Sequence, residues 1–150
     1  QAAGCQLISS CDLAYSSSRA KYATPGVNIG LFCSTPMVPL SRTVGKKQAM
    51  EMLLTGDLID ANKALRIGLI NDVFEGDSLK ENFFQIAKKI SSKSSNTIKI
   101  GKEAFYKQKD MNLEDAYTFT SNVMTENMLH DDSKEGIDAF LEKREPNWKE

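Results

Sequence analysis

The sequence predicts an α/β (α+β) fold in two parts, a mixed helix-and-strand first half over residues 1–76 and an all-helical second half over 77–150. Three observations carry this reading. Short apolar runs, Leu13-Ala14-Tyr15 and Leu69 to Phe74, alternate with helically spaced stretches before Gly76. Beyond Gly76 the apolar residues recur at helical spacing, and capping residues separate the runs. The 150 residues also suffice for one domain with a sizeable core.

In chain order, Ala2 to Ser10 spaces Leu7 and Ile8 three and four residues after Gly4, which suits a short helix. Leu13 to Tyr15 is expected to be a brief strand closed by a Ser16-Ser17-Ser18 turn. From Thr24-Pro25-Gly26 to Ser34-Thr35-Pro36 no period is sustained, so a long loop is expected. Ala49, Met50, Leu53 and Leu54 mark a helix between Gly45 and Thr55-Gly56. Asp60 caps another, through Ala64, Leu65 and Ile67 to Gly68, and a strand-like run follows to Phe74. In the second half, Asp77 or Ser78 opens a helix with Ser78 and Glu81 at capping-box spacing and a stripe of Leu79, Phe83, Ile86, Ala87 and Ile90. After a Ser-rich break at 91–95, helices are expected near Thr97–Lys109 and from Asn112 and Asp115 through Met128. Ser133 is expected to open the last, with Ile137, Phe140 and Leu141 inward and Pro146 as its stop.

Composition narrows the function classes. Hydrophobic content of 41%, 26% charged residues and a net charge of −1 describe a globular chain with no basic excess for nucleic acid. The longest uncharged stretch, 22–41, is broken by prolines and glycines, so no membrane span is expected. Cys5, Cys11 and Cys33 form no Cys-x-x-Cys pair and only His130 could join them, so no metal site and no cofactor is expected, and the cysteines are expected to be buried free thiols. His130, between Leu129 and Asp131, is expected to be a solvated surface side chain, and Asp12 a turn-capping one.

Three stretches, "AAGCQLISSCDLAYSSSRAKYATPGVNIGL", "LTGDLIDANKALRIGLINDVF" and "GIDAFLEKREPNW", resemble in this order and spacing the C-terminal half of the crotonase (enoyl-CoA hydratase/isomerase) superfamily. The resemblance covers essentially the whole chain. It implies the C-terminal part of a spiral of strand-strand-helix units in 1–76 and a helical trimerisation region in 77–150, assembling a homo-trimer or hexamer. A family domain needs more residues upstream, so the chain is expected to begin partway through the core. The resemblance further implies an acyl-CoA ligand, a role in fatty-acid metabolism and a mitochondrial matrix location, with any leader lying outside these residues.

The shared chemistry of the family is stabilisation of a thioester enolate by two backbone N–H groups, each worth roughly 10²–10³-fold in rate because it is fixed where charge develops. By the resemblance, one donor is the N–H of Ala3 beside Gly4. The residue-level alternative is that Ala3 and Gly4 serve only close packing of the helix. Hydratases of the family also use two glutamates, each contributing about 10²–10⁴-fold as acid or base. Those positions fall on Gln6 and Gly26. A glutamine amide holds water but exchanges no proton with it near neutral pH, and glycine has no side chain. The neighbouring loop offers Asn28, Cys33 and Ser34 as pocket residues, none a carboxylate, and Cys33 lacks a local cationic partner. Phe140 and Lys143, with Arg144, resemble positions that approach coenzyme A. The expected function is therefore acyl-CoA binding without efficient hydration. The alternative is an enzyme needing only the enolate site, such as a decarboxylase, a weak isomerase or a hydrolase. A purely structural subunit built on the helices after Gly76 is a third reading.

Overall fold

The computed structural model describes residues 1–149. The chain forms two compact units, Gln1–Gln85 and the residues from Ile86 onward. The first carries helix α1 (Ala2–Ser10), strands β1 (Tyr15–Ser17) and β2 (Lys21–Tyr22), and a 3₁₀ turn at Pro25–Ile29. Helices α2 (Ser34–Thr43) and α3 (Lys46–Thr55), strand β3 (Ile59–Asp60), helix α4 (Ala61–Arg66) and strand β4 (Asp72–Phe74) complete it. Helix α5 (Leu79–Ser91) then leads into α6 (Ser95–Gln108), α7 (Leu113–Met128) and α8 (Asp131–Glu142).

The strands make two small ladders. β1 lies parallel to β4 with Tyr15 opposite Asp72, Ser16 opposite Val73 and Ser17 opposite Phe74. β2 is antiparallel to β3, with Lys21 opposite Asp60. The expected strand at 13–15 therefore begins two residues later, and Ser16 and Ser17 belong to it, not to a turn. The reason is tertiary. Ala14 spends its N–H and carbonyl on the Asn71 side chain (2.7 Å) and the Asn71 N–H (2.7 Å), while the Tyr22 hydroxyl donates to the buried Ser16 at 2.6 Å.

The expected long loop is largely helical. Pro25 sits at the start of the 3₁₀ turn, where its missing N–H costs nothing, and Gly30 ends that turn with φ 75°. Helix α2, which the prolines concealed, starts at Ser34. Pro39 lies inside it and removes one ladder bond, a cost of about 3 kcal/mol in an isolated helix. Burial of Pro36 and of Leu40, at 0% exposure, offsets it.

The expected helices at α3 and α4 form as their termini dictate. Gly56 closes α3 with φ 66°, and the Asp60 carboxylate accepts the Lys63 N–H at 2.7 Å to start α4. Leu40, Val44, Ala49, Met52, Leu53, Ile59, Ala64, Leu69 and Ile70 pack with Cys5 into one core.

In the second unit Ser94 caps α6 by accepting from Thr97, and Asn112 caps α7 by accepting from Asp115. Helix α8 departs from expectation at both ends. It starts at Asp131 with His130 as its cap, Nδ1 accepting the Asp132 N–H at 3.2 Å, so His130 is not simply a solvated side chain. It stops at Lys143 in the left-handed region, three residues before Pro146. Nor do Ile137, Phe140 and Leu141 face inward, being 52%, 81% and 70% exposed; Asp132 and Ala139 are the buried residues. The Asp132 carboxylate accepts from the Ser94 hydroxyl at 2.5 Å and the Lys149 N–H at 3.1 Å, interactions the apolar pattern could not reveal. Trp148 donates from Nε1 to the Ser92 carbonyl and its ring lies against Gly136.

Candidate functional site

The first turn of α1 supplies main-chain donors. Its first intrahelical bond runs from the Cys5 N–H to the Gln1 carbonyl at 2.8 Å, so the N–H groups of Ala2, Ala3 and Gly4 have no acceptor within the helix. Ala3 and Gly4 are exposed, and apart from its chain neighbours and its own helix backbone nothing lies within 4 Å of where a Gly4 Cβ would stand. Among these residues that side of Gly4 is open, and a ligand atom could approach it. The positive end of the helix dipole adds to the attraction for an oxyanion.

Cys5 turns the opposite way, into the core. Its Sγ donates to the Ala23 carbonyl at 3.3 Å, and burial pushes the thiol pKa up, so this is a packed, protonated group. That bond ties Gly4-Cys5-Gln6 to the segment entering the 3₁₀ turn. The fully buried Thr24 anchors the same segment to α3, donating to the Met52 carbonyl at 2.8 Å. Cys5, next to Gln6, is thus bonded to the segment that leads into Gly26.

Gly26 sits in a loop closed on itself. Its N–H donates to Cys33 Sγ at 3.3 Å and its carbonyl accepts the Leu31 N–H at 2.9 Å. Of the expected pocket residues, Cys33 contacts this position. Asn28 has its amide atoms 3.1 Å from where a Gly56 Cβ would be, at the end of α3. The Ser34 hydroxyl donates to the Phe32 carbonyl at 3.4 Å. Cys33 is half-buried and Cys11 is exposed, so the expectation of three buried thiols holds fully for Cys5 alone; all three are free. Thr24 and the Leu31 carbonyl were missed. Proline followed by Gly30 is the signature of a short helical turn with its stop, and it could have located both.

In the second unit Phe140 lies exposed and Lys143 adopts φ 55°, ψ 41°, its N–H accepted by the last turn of α8. Arg144 is held differently. It makes a two-pronged pair with Glu135 (2.6 and 3.1 Å) and also reaches Glu142, so its charge is already partnered. The bond from Arg144 lowers the Glu135 pKa to about 2. Among the described residues, no group of three or more His, Cys, Asp or Glu side chains could hold a metal ion, and no helix is long and apolar enough to cross a membrane.

The Enoyl-CoA hydratase/isomerase family model matches residues 1–150, and the chain belongs to that family. Over 147 residues it is 51% identical to enoyl-CoA hydratase domain-containing protein 3, mitochondrial, of Mus musculus, covering 98% of this chain and 49% of that protein. The crystal structure of the human enoyl Coenzyme A hydratase domain-containing protein 3 superposes with a TM-score of 0.94 at 50% identity, covering 98% of this chain and 58% of that one. An enoyl-CoA hydratase from Mycobacterium smegmatis superposes with a TM-score of 0.95 at 44% identity, covering 98% and 57%. The crotonase-type fold is thereby established, and the chain spans about half the length of the curated relatives it matches.

Proposed function

We propose that this chain forms part of an acyl-CoA-binding protein of fatty-acid metabolism that holds a thioester enolate but does not add water efficiently. The observation that carries the reading is the contrast within one neighbourhood. The N–H groups of Ala3 and Gly4 are exposed and lack helix acceptors, while the two positions assigned to proton-moving glutamates hold Gln6 and Gly26. A thioester oxygen placed on the Ala3 N–H would gain stabilisation as negative charge develops on it. With no carboxylate at positions 6 and 26, a water there has no base to take its proton and the carbanion has no acid to return one.

Residues 1–76 then carry the enolate site, and 77–150 the assembly of a homo-trimer or hexamer. Exposed Leu113, Tyr117, Met124 and Met128 on α7 support an assembly role. Phe140 and Lys143 are assigned to coenzyme A, one as an apolar surface for the adenine and the other as a cation for the phosphates. The name of the mouse relative, which calls it mitochondrial, supports a mitochondrial location, which we place in the matrix.

Calorimetric titration of the full-length protein with a saturated acyl-CoA tests the reading. Saturable heat is expected, and no heat at millimolar ligand overturns it. Conversion of a short trans-2-enoyl-CoA at rates typical of hydratases would overturn the second half of the proposal. A second reading rests on the same donors: decarboxylation produces an enolate without a protein base. Loss of carbon dioxide from a malonyl-type thioester, seen by mass spectrometry, would select it.

A further inference from the structure

Glycine at position 26 is required by its neighbours and not by its backbone conformation, since it is absent from the glycines with positive φ. A Cβ built there would stand 2.6 Å from the Leu31 carbonyl oxygen, 2.8 Å from Cys33 Sγ and 3.3 Å from the Cys33 nitrogen. Two of these three atoms are main chain, in a loop already fastened by the Leu31 N–H to Gly26 and the Gly30 N–H to Val27. They can give way only if the loop itself shifts, and the Gly26 N–H bond to the Cys33 sulfur braces that loop. The sulfur is fixed as well, because it accepts the Gly26 N–H and Cys33 packs half-buried against the core of the first unit. Gly4, in the same neighbourhood, faces open space.

Resting on the reading of position 26 as the second acid of a hydratase, we infer that Cys33 is a specificity-determining residue. With the Leu31 carbonyl, its thiol fills the volume that an acid side chain at position 26 would need. The loop from Gly26 to Cys33 is thus closed against proton delivery, and the site is restricted to acyl-CoA thioesters whose chemistry asks for none from that side. The absence of an acid is then a property of two positions acting together. Restoring glutamate at 26 alone meets a wall of backbone and sulfur.

Two experiments on the full-length protein separate this inference from the function it rests on. The first needs no ligand: thermal unfolding of Gly26→Ala, Cys33→Ala and the double variant. One methyl at position 26 should lower Tm by about 2–4 °C or more, and the share of that loss owed to the sulfur rather than to the Leu31 carbonyl should disappear once the sulfur is gone. Strictly additive losses overturn the inference, whatever the protein binds. The second compares Gln6→Glu/Gly26→Glu with the same pair carrying Cys33→Ala, following water addition to a short trans-2-enoyl-CoA by loss of the conjugated absorbance. At least a ten-fold higher rate is expected with Cys33→Ala, and equal rates overturn the inference. Absence of calorimetric heat with acyl-CoA, by contrast, overturns the function proposed above and leaves the measured packing coupling in place.

Discussion

The two compact units of this chain have similarly apolar-striped helices but use them differently. In the first, a set of large apolar side chains goes fully inward, Leu40, Met52, Leu53 and Leu69 each being at most 2% exposed, although Leu7, Ile29 and Leu31 stay more than three-fifths exposed. In the second, the buried ones among the described residues are Ala104, Ala139, Ser94 and Asp132, while Leu129 and Phe140 are more than four-fifths exposed. The first unit is held by packing. The second is held by caps and a polar knot around Asp132, with no large apolar side chain fully buried among the described residues. A stripe at helical spacing therefore identifies a helix face but not what covers it.

The sharpest test of this contrast exchanges the same side chain in both regions. Leu53→Ala should cost about 2–5 kcal/mol in urea unfolding of the full-length protein, because it opens a cavity in a close-packed core. Leu141→Ala, at a site 70% exposed, should fall within about 0.5 kcal/mol in the same measurement. Equal costs would mean that Leu141 is buried in the full-length assembly, and the contrast between the units would fail.

A smaller but still large effect is expected at Asp132. Asp132→Ala leaves the buried Ser94 hydroxyl without its carboxylate, at about 1–3 kcal/mol, while the N–H of the exposed Lys149 turns to water. Hydrogen exchange should localise the loss to α6 and α8. Uniform protection in the variant would show that the knot is incidental.

Acid sensitivity gives the next test. The Glu135 carboxyl, bonded to Arg144, has its pKa lowered from 4.5 to about 2. A depressed folded-state pKa means that its contribution is present above pH 4.5 and is lost as pH falls from there through about 2. Arg144→Ala should bring Glu135 back toward its ordinary range and remove that share of the acid-induced loss, as followed by denaturant unfolding across a pH series. An unchanged profile would show that the Asn147 N–H, which donates to the same carboxylate, suffices alone.

The smallest expected effect on stability is at Phe140. Phe140→Ser should change unfolding free energy by no more than about 0.5 kcal/mol. If Phe140 contacts coenzyme A, the same variant weakens acyl-CoA binding in calorimetry. A change in stability without a change in affinity would move Phe140 from ligand binding to packing.

Much of the fold was legible where a short-range rule has one answer. Asp60 before an apolar run, Asn112 three residues before Asp115, and Gly56 and Gly68 after helices all act through backbone groups a turn away. Legibility failed where distant residues decide. Helix α2 keeps Pro39 because Leu40 and Pro36 are buried, and β1 shifted because Asn71 and Tyr22 claim the groups around it. At the candidate site the residue types were legible and their placement was not: Asn28 was grouped with Cys33 and Ser34, yet its side chain lies against Gly56.

By itself, the sequence determined the family and the alternation of mixed and helical halves, and it put Gln6 and Gly26 at the positions that the resemblance assigns to acids, since these follow from residue identity and spacing. Only the tertiary structure decided that Gly4 opens to space while Gly26 is shut in by the Leu31 carbonyl and the Cys33 sulfur. Both are glycines, and a glycine carries no side chain through which a sequence can announce its surroundings. What stands in the missing side chain's place is chosen by residues brought there by the fold.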